Sequence, residues 1–95
     1  MHQLRITAIR SEALFVSALQ RSDNPDARQV QQAIAGAVRA YGGRGCAARV
    51  AQEFGDHPET AVVRMRWARE VVGATFPAPS HEATYLLRPA LAHAG

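Results

Sequence analysis

Residues 50–65 constrain this chain more than any other stretch. Val50, Ala51 and Phe54 follow helical spacing and are cut off by Gly55-Asp56-His57-Pro58-Glu59, after which Ala61, Met65, Ala68 and Val72, joined by Val62, restart the same period. Gly55 suits the left-handed residue that closes a helix. Asp56 suits the N-cap of the next, with Pro58 inside its first turn and Glu59 three residues after the cap. The spacing predicts one helix over 44–54 and another reaching about residue 72, a helical hairpin at 45–72.

The rest of the chain extends this into an all-α bundle of about four helices. Ser11-Glu12 reads as a helix start, with Leu14, Phe15, Ala18 and Leu19 forming a buried stripe. Residues 3–8 alternate polar and apolar, which fits a short strand or a lead-in to that helix. Arg21-Ser22-Asp23-Asn24 breaks it. Pro25 then suits the first position of a second helix, capped by Asp23 or Asn24, with Asp26 in its first turn. That helix runs to Arg39 or Ala40 and turns Val30, Ile34, Ala37, Val38 and Tyr41 to one face, and Gly42, Gly43 and Gly45 link it to the next. Residues 1–75 form the expected domain. Residues 76–95 read as a Pro/Ala-rich tail, within which 82–88 suits a short helix or strand.

Composition limits what holds such a bundle together. At 95 residues there is one domain, and although 47% of residues are hydrophobic, alanine dominates them. Alanine buries little area, and apolar burial is worth only about 25 cal/mol per Å², so close packing or a homodimer is expected to help. All 11 basic residues are arginine, and the net charge is only +3. The bias is local: Arg39, Arg44, Arg49, Arg64, Arg66 and Arg69 face only Glu53, Asp56 and Glu59 within residues 39–69. Cys46, the single cysteine, excludes an intramolecular disulfide and suits a small buried hydrophobe. Neither a signal peptide nor an apolar run of the ~20 residues needed to span a bilayer is visible, which points to the cytoplasm and away from membranes.

No catalytic or cofactor chemistry is legible. His2, His57, His81 and His93 form no i, i+4 pair, and His81-Glu82-Ala83-Thr84-Tyr85 has Tyr where a zinc helix needs its second His. Gly42-Gly43-Arg44-Gly45 lacks the lysine and preceding strand of a phosphate loop and reads as a hinge. Capping accounts for Asp56 and Glu59, leaving no carboxylate pair for acid–base work. The expectation is no enzyme, no metal and no cofactor.

The pattern Val50-Ala51-x-x-Phe54-Gly55, with Thr60-Ala61 and then Met65 ten residues after the glycine, resembles the bihelical core of prokaryotic helix-turn-helix regulators. The alanine- and arginine-rich, lysine-free composition is similar to that of short proteins from GC-rich actinobacteria. The first resemblance implies that Ala51 lets the two helices cross closely, Gly55 makes the turn, and Ala61 and Met65 pack the second helix. It also implies a recognition helix whose exposed face presents His57, Thr60, Val63, Arg64 and Trp67 to duplex DNA. Thr60 and Arg64 would then read bases, while Arg49, Arg66 and Arg69, with Arg44 nearby, hold phosphates. The function so implied is a small DNA-binding regulator or regulatory cofactor, acting as a two-fold pair. The alternative is a helical adaptor without nucleic-acid contact, docking on a protein partner through Val63 and Trp67, since Trp beside Arg is common among interface anchors. Exposure separates the two: a hairpin whose Val63, Arg64 and Trp67 are covered by the preceding helices cannot enter a groove.

Overall fold

The computed structural model describes residues 2–77, and side chains from residue 5 onward. The described chain is helical throughout apart from short connections, with no strand among the described residues. Three helices run in order: α1 (His2–Val16), α2 (Ala27–Asp56) and α3 (Pro58–Thr75), with a 3-10 turn at Arg21–Asp23 between the first two. Each packs on the other two.

α1 begins well before Ser11, so the alternating segment is helix and not strand. No glycine or proline interrupts residues 2–16, and extending a helix already nucleated by the packed residues 11–16 costs far less than starting a new element. Ala13, Leu14 and Phe15 are buried, and Ser11 lies among them with its hydroxyl unpartnered. Asp26, and not Asp23 or Asn24, caps α2. Its carboxylate accepts from the Gln29 amide at 2.8 Å, while the Gln29 side chain accepts from the Asp26 amide at 2.9 Å. Pro25 lies outside the helix.

α2 spans the expected glycine link as two helical limbs joined at a kink, where Gly42 takes the non-helical conformation φ 70, ψ 171. The bend there is sharp. Nine residues of straight helix would span about 13.5 Å, yet the Cys46 thiol approaches the Ala37 carbonyl at 3.7 Å. The limbs 27–41 and 43–56 therefore occupy the places foreseen for two separate helices. A Cβ at Gly45 would meet that of Tyr41 at 2.9 Å, so this corner needs glycine for space as well as for conformation. Gly42→Ala meets no atom, so its cost is conformational: about 1–3 kcal/mol for a side chain in this Gly-only region. Gly43→Ala, helical and equally open, is expected to change stability in the opposite direction, by at most ~1 kcal/mol. Thermal unfolding of the two variants side by side checks both signs.

The hairpin turn is tighter than expected. Gly55 and Asp56 both belong to α2, and one residue, His57, joins it to α3 at φ −138, ψ 66. Pro58 disfavours helical backbone at the residue before it, so the break falls on His57 and neither Gly55 nor Asp56 takes its expected role. The core gathers Leu14 and Phe15 of α1, Val30, Ile34, Ala37, Cys46 and Val50 of α2, and Ala61, Met65, Trp67, Ala68 and Val72 of α3. Ala51 is exposed and does not mark a close crossing. Val38, Tyr41, Phe54 and Val62, all foreseen inside, are partly or largely exposed. Phe54 lies stacked on Phe15, with ring centroids 6.1 Å apart. The tail beyond residue 77 lies outside the described residues.

Candidate functional site

α3 carries most of the residues singled out from sequence, and it distributes them around its whole circumference. Ala61, Met65, Ala68 and Val72 recur at three- and four-residue intervals and face the core, as expected. Arg64 borders that stripe and turns toward the end of α1. There its Nε donates to the Phe15 carbonyl at 2.7 Å, and one terminal nitrogen donates to the carbonyls of Ser17 at 2.8 Å and Leu19 at 2.9 Å. A longer contact reaches the Leu14 carbonyl at 3.4 Å.

The physical reason is an unmet need at that helix end. The last carbonyls of any helix lack intrahelical donors, and α1 has no basic residue in its last turn. The Ser17 hydroxyl covers the Leu14 carbonyl at 2.6 Å, and Arg64 serves that of Phe15 from a different helix, with those of Ser17 and Leu19 just beyond the helix end, where its charge also opposes the negative end of the α1 dipole. Its guanidinium lies 5.1 Å from the Trp67 ring and 5.7 Å from that of Phe15. Burial pushes its pKa down from the usual arginine value, but arginine remains charged in proteins. A guanidinium held in this way is not free to read a base edge.

Trp67 takes the covered place that so small a core makes the default for it. It lies off the alanine stripe, as the spacing indicates, yet it is only 7% exposed and belongs to the core. Its accessible edge lines a groove with Val63, Gln20 and Arg21. Of the pair foreseen as an interface anchor, only Val63 is open, at 57% exposure.

The remaining basic residues divide. Arg49 lies on the second limb of α2 with its guanidinium 3.9 Å from the Tyr41 ring, a stacking contact across the Gly42 bend. Arg66 and Arg69 are exposed on α3. Thr60 is exposed and donates its hydroxyl to the His57 carbonyl at 3.1 Å. At 100° per residue, Thr60 and Arg69 fall on opposite sides of the helix, so the proposed base reader and phosphate holder do not share a surface.

What the outer side of α3 does bring together is Glu59, Val62, Val63, Arg66, Arg69 and Glu70, all exposed. Beside it runs a shallow groove whose walls are Phe54, Val62, Met65, Arg66, Arg69 and Glu70. This face is apolar at its centre and charged at its ends. The signal was present in the sequence as two adjacent valines displaced from the core period, but counting Val62 as an inward residue concealed it.

Cys46 is fully buried, and desolvation raises its thiol pKa, assisted by Glu12 and opposed by Arg49. That holds it as a protonated packing residue. Among the described residues, no group of three or more His, Cys, Asp or Glu side chains is placed to hold a metal, and no helix is long and apolar enough to cross a membrane. No protein-family model matches the chain, and neither the curated proteins nor the solved structures give a match.

Proposed function

We propose that this chain is a small helical protein-interaction module that works through the outer face of α3 and does not read DNA. The observation that carries this reading is the use of Arg64: the best-placed base reader on α3 is committed to carbonyls of residues 15, 17 and 19. The open face left on α3 has Val62 and Val63 at its centre, 45% and 57% exposed. Valines on the solvent side of a helix serve no core, and contiguous exposed apolar surface is characteristic of interaction sites. Acidic groups support the same reading, since Asp56 and Glu59 lie at the end of α3 that would have to meet phosphates, and negative charge there opposes anion binding.

The rival is a DNA-binding regulator that uses Arg66 and Arg69 on phosphates. Fluorescence anisotropy of a labelled mixed-sequence duplex separates the two at ~50 mM and ~200 mM salt. The interaction reading expects no saturable binding at either salt. Binding that falls steeply with salt, and falls again in Arg66→Ala and Arg69→Ala, overturns it in favour of the regulator.

A further inference from the structure

The outer face of α3 has a charge pattern that is complementary to itself. Along the helix the order is Glu59, then Val62 and Val63, then Arg66 and Arg69, all exposed. Acid stands on one side of the apolar pair; on the other stand the two arginines with Glu70 beside them, an end that keeps a net positive charge. Seven residues separate Glu59 from Arg66, two helical turns that return almost to the same direction. Both therefore point outward close to the midline of the face, with Val62 and Val63 flanking that midline between them.

We infer that the face docks on a second copy of this chain, with α3 pairing antiparallel to its counterpart about a two-fold axis that passes between Val62 and Val63. This rests on the reading of α3 as a protein-binding surface and names its occupant. An isologous contact of this kind needs a patch complementary to itself. The axis gathers the four valines at its centre. It sets Glu59 against the partner's Arg66, and Arg66 against the partner's Glu59. Arg69 comes toward the acidic end formed by the partner's Asp56 and Glu59. Antiparallel α3 helices also oppose their dipoles. A parallel pairing would place Glu59 against Glu59 and Arg66 against Arg66, so the charges select the direction. Phe54, at the edge of the groove beside Val62, adds apolar surface at the flank.

Arg64 and Trp67 take no part, because both are occupied within the protomer. The contact consists of little more than one helix face on each side, well below the ~800 Å² per partner of a standard interface. The dimer is accordingly weak, concentration-dependent and in exchange with monomer.

Sedimentation velocity over a concentration series, with the full chain, tests it. Wild type is expected to pass from monomer to dimer as concentration rises, and to shift back toward monomer when salt screens the two ion pairs. Val63→Asp, and Glu59→Arg or Arg66→Glu alone, should each weaken the dimer about tenfold or more. The double exchange Glu59→Arg with Arg66→Glu restores the pairing in reverse and should return association to within about threefold of wild type. All three substitutions are on exposed positions, so circular dichroism melts of the four variants should stay near those of wild type and exclude unfolding as the cause. A monomer at every concentration overturns the inference, and so does a dimer indifferent to Val63→Asp, or a double exchange no better than the single ones. A self-association failure with no DNA binding leaves the interaction reading intact with a different partner, whereas salt-sensitive DNA binding removes that reading itself.

Discussion

Arg64→Ala is expected to lower the stability of the folded chain by about 2–4 kcal/mol, although the residue lies on a helix surface and pairs with no acid in its bonds to α1. The substitution removes every donor that α3 supplies to the carbonyls of Phe15, Ser17 and Leu19. It also leaves the C-terminus of α1 without its cation, and it strips the Trp67 and Phe15 rings of the guanidinium between them. Total stability for a chain of this size is ~5–15 kcal/mol, so the loss is a large share of it. Arg64→Lys should recover less than half. A lysine ammonium carries charge but not the planar fork that serves Phe15 through one nitrogen and the carbonyls of Ser17 and Leu19 through another. Urea unfolding checks this, with a lower midpoint and an unchanged slope as the expected signature. A variant that loses under ~0.5 kcal/mol, the scatter of ordinary surface substitutions, would show that the carbonyl contacts contribute little and that Arg64 is free for another role.

Trp67→Ala is expected to be at least as damaging, at about 3–5 kcal/mol, the usual cost of truncating a large aromatic in a core. Alanine-rich neighbours such as Ala61 and Ala68 have little side chain with which to close the cavity. The interface-anchor alternative makes the contrary forecast: a stable fold and a lost partner. Circular dichroism melts separate the two. A second readout needs no mutation, because Trp67 is the chain's only tryptophan. Its emission should be shifted to the blue in the native protein and move to the red in one cooperative step on unfolding. Emission at the wavelength of free tryptophan under native conditions would contradict its burial.

Both residues illustrate what one-dimensional spacing can and cannot resolve. The period of α3 identified Ala61, Met65, Ala68 and Val72 as its inner stripe, and it identified Trp67 as lying outside that stripe. Whether an off-stripe residue is exposed depends on what the rest of the chain lays over it. For Trp67 that is the buried cluster it joins with Leu14 and Phe15 of α1, far away in sequence. Arg64 is a similar case. The period of α3 sets Arg64 at the edge of the inner stripe and Arg66 away from it, but only the arrival of the α1 terminus makes Arg64 structural. Val62 is the opposite case, a hydrophobic residue next to the stripe that the described helices leave 45% exposed.

The helix breaks show the same division. Glycines at 42, 43 and 45 marked a corner correctly, and the single positive φ among them, at Gly42, interrupts the helix there and turns the chain into its second limb. At the hairpin two local rules competed. Gly55 and Asp56 each carried a terminus signal, but Pro58 acts on its neighbour by steric exclusion, a stronger effect than a capping preference worth about 1 kcal/mol. The break therefore fell on His57.

The sequence by itself determined the helical class, the position of the corner near Gly42 and of the helix break near Pro58, and the inner stripe Ala61, Met65, Ala68 and Val72 of α3. These follow from backbone sterics and from a 3.6-residue period, both local in the chain. Only the tertiary structure decided which arginine is bound and which is open, which aromatic is core and which valines are surface. Those outcomes depend on groups 45 to 50 residues apart, such as Arg64 and the carbonyls at and just beyond the end of α1. Meeting the hydrogen-bonding and burial demands of one helix with side chains from another is a property of the packed assembly and leaves no period in the sequence.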